Sequence, residues 1–292
     1  MDSIKAKRII DHYYRKGNPT DSDKFLYIEA LGYLIETEND PRFMMELGGY
    51  YYGVRKFDLA LRYYEMAADL DYLEAYSCLG YVWYYGRTGV KDYKRAFEYF
   101  SKCKEKGDMV AAYKIADMYR NGYYVQKDMS KYKSIIEGLY RKVRRHDDLN
   151  APIPEIYTRL AKIRLDEDRI DEAVDLYIQA KFFLSQRISY NSFFGNLNIM
   201  DWLVNDLYQI IDFDDTDFDL FDLYYLMKNP VKVIFRYEQK KYTVESFQED
   251  EACTVKFQDR WFRSVSDFIS KAMINGESLT AINRLLYGFE VI

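Results

Sequence analysis

Small and large apolar positions recur along the middle of the chain at a fixed spacing. Ala75, Leu79, Gly80, Trp83 and Gly86 return 36 residues later as Ala111, Ile115, Ala116, Tyr119 and Gly122, and Asp92 returns as Asp128. Within each run the spacing of four and five places the apolar residues on one side of a helix. Gly86 and Gly122 then stand where that helix stops, since glycine adopts the left-handed cap conformation at little cost. Asp92 and Asp128 precede a second apolar run and are N-cap candidates for it. A repeat of this length predicts stacked helix pairs, none of which buries its apolar face alone.

Two more units fit with a shorter loop. Leu47-Gly48-x-x-Tyr51 precedes Ala60-Leu61-x-Tyr63-Tyr64, and Leu160-Ala161 precedes Ala173-Val174-x-x-Tyr177; the first leucine lies 13 residues before the alanine in both, against 17 from Leu79 to Ala96 and from Ile115 to Tyr132. Gly80, Ala96, Ala116 and Ala161 are small where the first and second helices of a unit must approach. Trp83, Tyr119 and Tyr51, one turn later, are large and fill the space beside them.

The pattern A-x-x-x-L-G-x-x-[YW]-x-x-G followed by G-V-x-D-Y-x-x-A-x-x-Y-[FY] resembles the Sel-one-like repeat, a longer-looped relative of the tetratricopeptide repeat. The unit from Ala75 to Asp108 carries it fully. The unit from Ala111 departs, with Tyr132 for the second-helix alanine and Tyr124 for a loop glycine. The units at 42–74 and 156–190 look more like the ordinary tetratricopeptide version. The resemblance covers about half the chain and implies a right-handed superhelix of antiparallel helix pairs that assembles protein complexes.

On either side of the repeats the pattern changes. Ile4–Arg15 and Phe25–Glu36 read as amphipathic helices forming an N-terminal cap, with Thr20 or Asp21 capping the second and Pro41 opening the next. Residues 188–227 hold eight Asp and no Glu, Lys or Arg. Beyond them the period shortens to two. Val231, Val233, Phe235 and Tyr237, then Tyr242-Thr-Val, then Cys253–Phe257 predict three antiparallel strands, with Glu238-Gln239-Lys240 and residues 248–251 as turns. Ser264-x-x-Asp267 makes a capping box for a helix ending at Asn275-Gly276, followed by a second short helix. The expected architecture is mainly α: a right-handed α-solenoid with its cap over 1–190, an acidic helical connector over 191–228, and a small α+β domain over 229–292.

Composition narrows the chemistry. The 292 residues include 31 Tyr, which suit helix seams and binding surfaces alike, and carry a formal charge of −5, which argues against general nucleic-acid binding. Cys78, Cys103 and Cys253 have neither disulfide-framework nor zinc spacing. The charged start, Met1 to Arg8, lacks the apolar core of a signal peptide, and no apolar run approaches a membrane span, so a cytoplasmic protein is expected. His12 and His146 have no Ser or Cys in motif context, and no phosphate loop or metalloprotease motif occurs; a non-enzyme without cofactor or metal is expected. The series Asp212, Asp214, Asp215, Asp217, Asp219 and Asp222 lacks the glycine and glutamate of a calcium loop, with Leu223 at the twelfth place, and reads as capping and a solvated acidic loop. Arg141 to His146 could grip phosphates, but lacks interleaved aromatics and reads as a solvated helix end.

The surface most suited to recognition follows from the resemblance, which implies that the first helix of each unit lines a concave face. Positions two before, two after and five after the motif leucine are Met45, Gly49 and Tyr52; Ser77, Tyr81 and Tyr84; Tyr113, Asp117 and Arg120; and Thr158, Lys162 and Leu165. Aromatic anchors with one Arg, one Lys and one Asp fit capture of a peptide or partner protein, though the same tyrosines could merely cover a closed groove. The expected function is a non-catalytic protein–protein interaction scaffold or adaptor. The alternatives are an inhibitor or immunity-type protein that neutralises a toxin or defence enzyme, and a nucleic-acid or small-ligand effector working through the C-terminal domain.

Overall fold

In the computed structural model, placement is described for all residues except 17, 146, 147, 149, 192, 193, 213–217, 250 and 251, and for the backbone alone at 194, 249 and 252. Contacts group the chain into two units, Met1–Ile135 and Ile136–Ile292.

The first unit is built from helix pairs. Helix α1 (Ser3–Arg15) starts at Asp2, whose carboxylate accepts from the Lys5 N–H; α2 (Asp21–Glu38) starts at Thr20 with a capping box completed by Asp23. Helix α3 (Pro41–Gly53) has Pro at its first turn and pairs with α4 (Phe57–Asp69); α5 (Leu73–Tyr85) pairs with α6 (Tyr93–Glu105); α7 (Met109–Asn121) follows, and α8 (Met129–Val143) begins in this unit. Each second helix packs on the next first helix, so the pairs form a solenoid.

The seam residues act as their sizes predict. A Cβ on Gly80 would lie 2.5 Å from the ring of Phe100, and one on Gly48 would lie 2.6 Å from Tyr64. Phe100 is fully buried and Tyr64 nearly so, so each aromatic of the second helix rests on bare backbone of the first. Gly86 and Gly122 end α5 and α7 with φ of 61° and 70°. The two loops that follow repeat their hydrogen bonds: Asp92 N–H donates to Trp83 C=O and Asp128 N–H to Tyr119 C=O, at 3.0 and 2.9 Å. Asp92 and Asp128 then accept from the N–H of Arg95 and Lys131. Tyr124, which stands before valine as Gly89 does, keeps a left-handed backbone with φ of 64°. Two tyrosines and a leucine-rich core fill the N-terminal pair, where Tyr13 stacks on Tyr27 with centroids 4.0 Å apart.

The second unit holds the remaining helices and the sheet. Helix α9 (Ile153–Asp166) pairs with α10 (Ile170–Tyr190), and α11 (Phe194–Leu207) and α12 (Leu220–Leu226) follow. Arg187 is buried between the first two, donating to Glu155 at 2.8 Å and to the Ala151 carbonyl at 2.8 Å. Strands β1 (Val231–Tyr237), β2 (Lys240–Glu249), β3 (Ala252–Phe257), β4 (Arg260–Phe262) and β7 (Tyr287–Val291) form one antiparallel sheet in the order β4-β3-β2-β1-β7. The expected strands are therefore present, joined by two edge strands that are too short or too glycine-interrupted to alternate visibly. The β1–β2 turn places Glu238 and Gln239 at φ of 47° and 63°, the mirror-image turn that matches strand twist.

Two local expectations need correction. Helix α13 (Val265–Lys271) begins at Ser264 as expected but stops before Asn275-Gly276. Those two residues, with φ of 52° and 88°, make a hairpin turn between β5 (Met273–Ile274) and β6 (Glu277–Ser278). Asn-Gly is the strongest two-residue hairpin signal, and it outweighs the helix-stop reading. The second short helix is a single 3-10 turn, Asn283–Leu285.

Candidate functional site

Within the first unit, most of the expected recognition residues converge on two cations that the column reading did not include. Arg87, just past the Gly86 cap, donates to the Tyr52 hydroxyl at 3.0 Å and lies over the rings of Tyr85, Phe57 and Tyr52 at 4.7, 5.5 and 5.8 Å. Lys114 of α7 is only 3% exposed. Its ammonium donates to the Tyr85 hydroxyl at 2.6 Å and lies 4.7–5.3 Å from the ring centroids of Tyr85, Tyr84, Tyr81 and Tyr113. The Asp117 carboxylate is 3.8 Å away, and the Tyr81 and Tyr113 hydroxyls share a hydrogen bond of 2.6 Å. Four aromatic faces and one carboxylate thus replace the water that a buried ammonium has lost. Burial raises the Tyr52 hydroxyl above the ordinary tyrosine value, opposed by neighbouring Arg87, so it stays protonated and able to donate.

The other expected residues fall differently. Met45 is half-buried against the core, and Tyr84 packs edge-on to Tyr93 and Phe100 of the second helix, so it does not point away from the seam. Gly49 is exposed and Ser77 half-buried. Arg120 lies over the ring of Tyr132 at 5.6 Å. In the second unit Thr158 is buried with its hydroxyl on the Pro154 carbonyl, Leu165 is half-buried, and Lys162 pairs with Asp206 of α11 at 2.8 Å.

A signal for the missed lysine exists one column over. The residue just before the motif leucine is Glu46, Cys78, Lys114 and Arg159 in successive units. Glu46 accepts from both Tyr14 and Tyr27 at 3.0 Å; Cys78 is pushed up to about 12 by burial; Arg159 is buried and donates to the Glu155 carbonyl. A polar residue recurring inside an apolar helix marks an inward-facing network, and that column reads more deeply than the flanking ones.

The acidic connector is matched by two lysines from the preceding helices and one at its own end. Besides the Lys162–Asp206 pair, Lys181 of α10 contacts Asp222 at 3.0 Å and Asp219 at 3.1 Å, and Lys228 contacts Asp201 at 2.5 Å. Tyr208 also donates to Asp222, and Asp219 caps α12. Burial pushes Asp222 above the ordinary carboxylate value despite Lys181, while its two aspartates hold Lys181 above the ordinary lysine value against the effect of burial. Asp214, Asp215 and Asp217 lie outside the described residues, as does His146. Among the described residues no cluster of three His, Cys, Asp or Glu is placed to hold a metal ion, and no helix is long and apolar enough to cross a membrane.

These features define an α-helical repeat protein with an antiparallel sheet at its C-terminal end. Residues 41–131 are a run of three Sel1 repeats: the family model described as "Sel1 repeat" matches 41–72, 74–108 and 110–131. The unit at 42–74, read from its short loop as an ordinary tetratricopeptide repeat, therefore counts with the Sel1 repeats. The third match ends one residue before Tyr132, where the motif departs. Among solved structures, the chain is similar to a Sel1 repeat protein from Oxalobacter formigenes at 20% identity, covering 70% of this chain and 84% of that one with a TM-score of 0.45. It is also similar to c5321, a protective antigen of uropathogenic Escherichia coli with an SLR fold, at 16% identity over 71% and 45% of the two chains and a TM-score of 0.46. Yeast Tom70 matches at 14% identity over 65% and 50%, with a TM-score of 0.32. No curated protein matches the chain. The Sel1 repeat fold is typical of protein–protein interaction scaffolds.

Proposed function

We propose that the chain is a non-catalytic, cytoplasmic adaptor that captures a peptide or partner protein along the strip formed by α3, α5 and α7. The supporting observation is the linked array Tyr52–Arg87–Tyr85–Lys114–Tyr81–Tyr113. Rings held by neighbouring cations are pre-organised, so a partner loses little rotamer entropy in meeting them. Tyr81 and Arg120, with Met45, Tyr52 and Tyr84 as the walls, are the binding residues in this reading, while Tyr113 and Asp117 are buried and hold them from behind; Lys162 belongs to a separate surface of the second unit. The functional division is 1–190 for recognition, 191–228 as connector and 229–292 as an appended module. A cytosolic setting accords with Cys78 and Cys103, whose thiols burial pushes up to about 12 and so keeps unreactive.

The test is partner capture from the source cell with a photo-crosslinking residue at Ser77, compared with one at Lys94 on the opposite helix. Recovery of the same protein from Ser77 alone is expected, with loss on Arg120→Ala and Tyr113→Phe. Equal capture from both positions, or from Lys94 alone, would place the partner elsewhere.

A further inference from the structure

The solvent face of the C-terminal sheet has a composition that the scaffold reading does not use. Strand alternation turns Val233, Phe235, Val244, Val255, Phe257 and Phe262 into the core, and the residues between them lie on the other face, where Ile234 is also covered. The register aligns Lys232, Glu245, Lys256 and Trp261 in one row across β1, β2, β3 and β4. A second row holds Tyr287, Arg236 and Lys241, and Phe247 lies opposite Thr254. Trp261 is 61% exposed, its ring 5.3 Å from that of Phe247, with the Lys256 ammonium 5.7 Å away. Among the described side chains, the carboxylates on this face are Glu245 and Glu290, the latter 3.8 Å from Lys241. On this face four cations stand against two acids among the described side chains, in a chain whose formal charge is −5.

We propose that this face binds single-stranded nucleic acid, with bases stacked on Trp261 and Phe247 and phosphates held by Lys232, Arg236 and Lys256. Lys232 and Lys256 stand two strands apart, roughly 10 Å, on either side of the row that leads to the rings. Open aromatic faces beside spaced ammonium groups suit a chain of stacked bases and phosphates. An acidic peptide would satisfy the cations but leave the rings unused. The inference is independent of the α3–α5–α7 strip, which it neither needs nor supports.

The experiment is fluorescence anisotropy of the full chain with labelled oligo-dT and oligo-rU of about 12 nucleotides, within the usual site size, across a salt series. Salt-sensitive binding at micromolar protein is expected. Trp261→Ala should weaken it about tenfold with the salt slope unchanged, while Trp261→Phe, which keeps a ring, retains most of the affinity. Lys256→Ala should lower the log–log salt slope by about 0.7, the value for one phosphate contact on a single strand. Lys94→Ala on α6 should change nothing. No anisotropy change with either oligonucleotide overturns the proposal, as does binding that survives both Trp261→Ala and Lys256→Ala. Displacement by oligo-glutamate at equal concentration also overturns it and assigns the face to acidic peptides.

Discussion

Two lysines, one in each unit, are stabilised by opposite means, Lys114 fully buried and Lys181 half-buried. Lys114 sits among four tyrosine rings and a hydroxyl, with a single carboxylate at 3.8 Å; Lys181 sits between two aspartates at about 3 Å. Ring quadrupoles hold a cation softly and leave the surface polar and aromatic, whereas formal counter-charges neutralise it and lock two elements together. In the proposed reading, the difference separates a strip kept ready for a partner from a region that closes on itself.

The comparison is broken most forcefully at Lys181. Lys181→Met strands the buried Asp222 carboxylate and should cost about 3–5 kcal/mol in urea unfolding, as removal of one partner from a buried pair does. Lys114→Met loses a charge-assisted hydrogen bond and its ring contacts, for about 2 kcal/mol. Equal costs for the two would erase the distinction.

Gly80→Ala attacks the tyrosine cage from behind. The new methyl would meet Phe100, whose ring touches both Tyr81 and Tyr84, so a cost of about 1–3 kcal/mol is expected together with altered tyrosine near-UV dichroism. Gly49→Ala on the preceding first helix, where the added methyl meets nothing, is the control. Tyr124→Gly should stabilise by about 1 kcal/mol, because glycine holds the left-handed backbone there without strain.

The smallest effect is electrostatic. The Lys16 ammonium and Thr20 hold Asp23 well below the ordinary carboxylate range, Lys7 lowers Glu38, and Arg42 lowers Asp40. For acids lowered in the folded state, the stabilisation is present above the ordinary value near 4 and fades as pH falls through the lowered values. Melting followed by circular dichroism should therefore show a modest decline below that pH, smaller in Asp23→Asn. A decline unchanged in that variant would assign the acid sensitivity to other groups.

Much of the repeat region was legible because its physics is local. Glycine at a helix end, aspartate at the next start and small residues at a seam each act within a few residues of where they are read. The cage was harder to read. Lys114 lies in the run Ala111-Ala-Tyr-Lys-Ile-Ala, where helical spacing marks a buried face, and only the columns across units show that a polar residue recurs there. The Asp-rich connector misled in another way, since its counter-charges Lys162 and Lys181 lie outside the segment and Lys228 stands at its last position. The edge strands stayed hidden because three residues at Arg260–Phe262 cannot show a period, and Gly288 interrupts the alternation of the last one.

The strand order β4-β3-β2-β1-β7 also sets a timetable. The helix pairs of the first unit are built from near neighbours in sequence and can form while later residues are still being synthesised. The sheet cannot: β1 waits for β7, and the Ile292 N–H closes onto the Lys232 carbonyl only once that late segment has been made. Until then one flank of β1, with Val233 and Phe235 in it, has no partner strand. That interval is when the C-terminal unit is most exposed to mispairing with other chains.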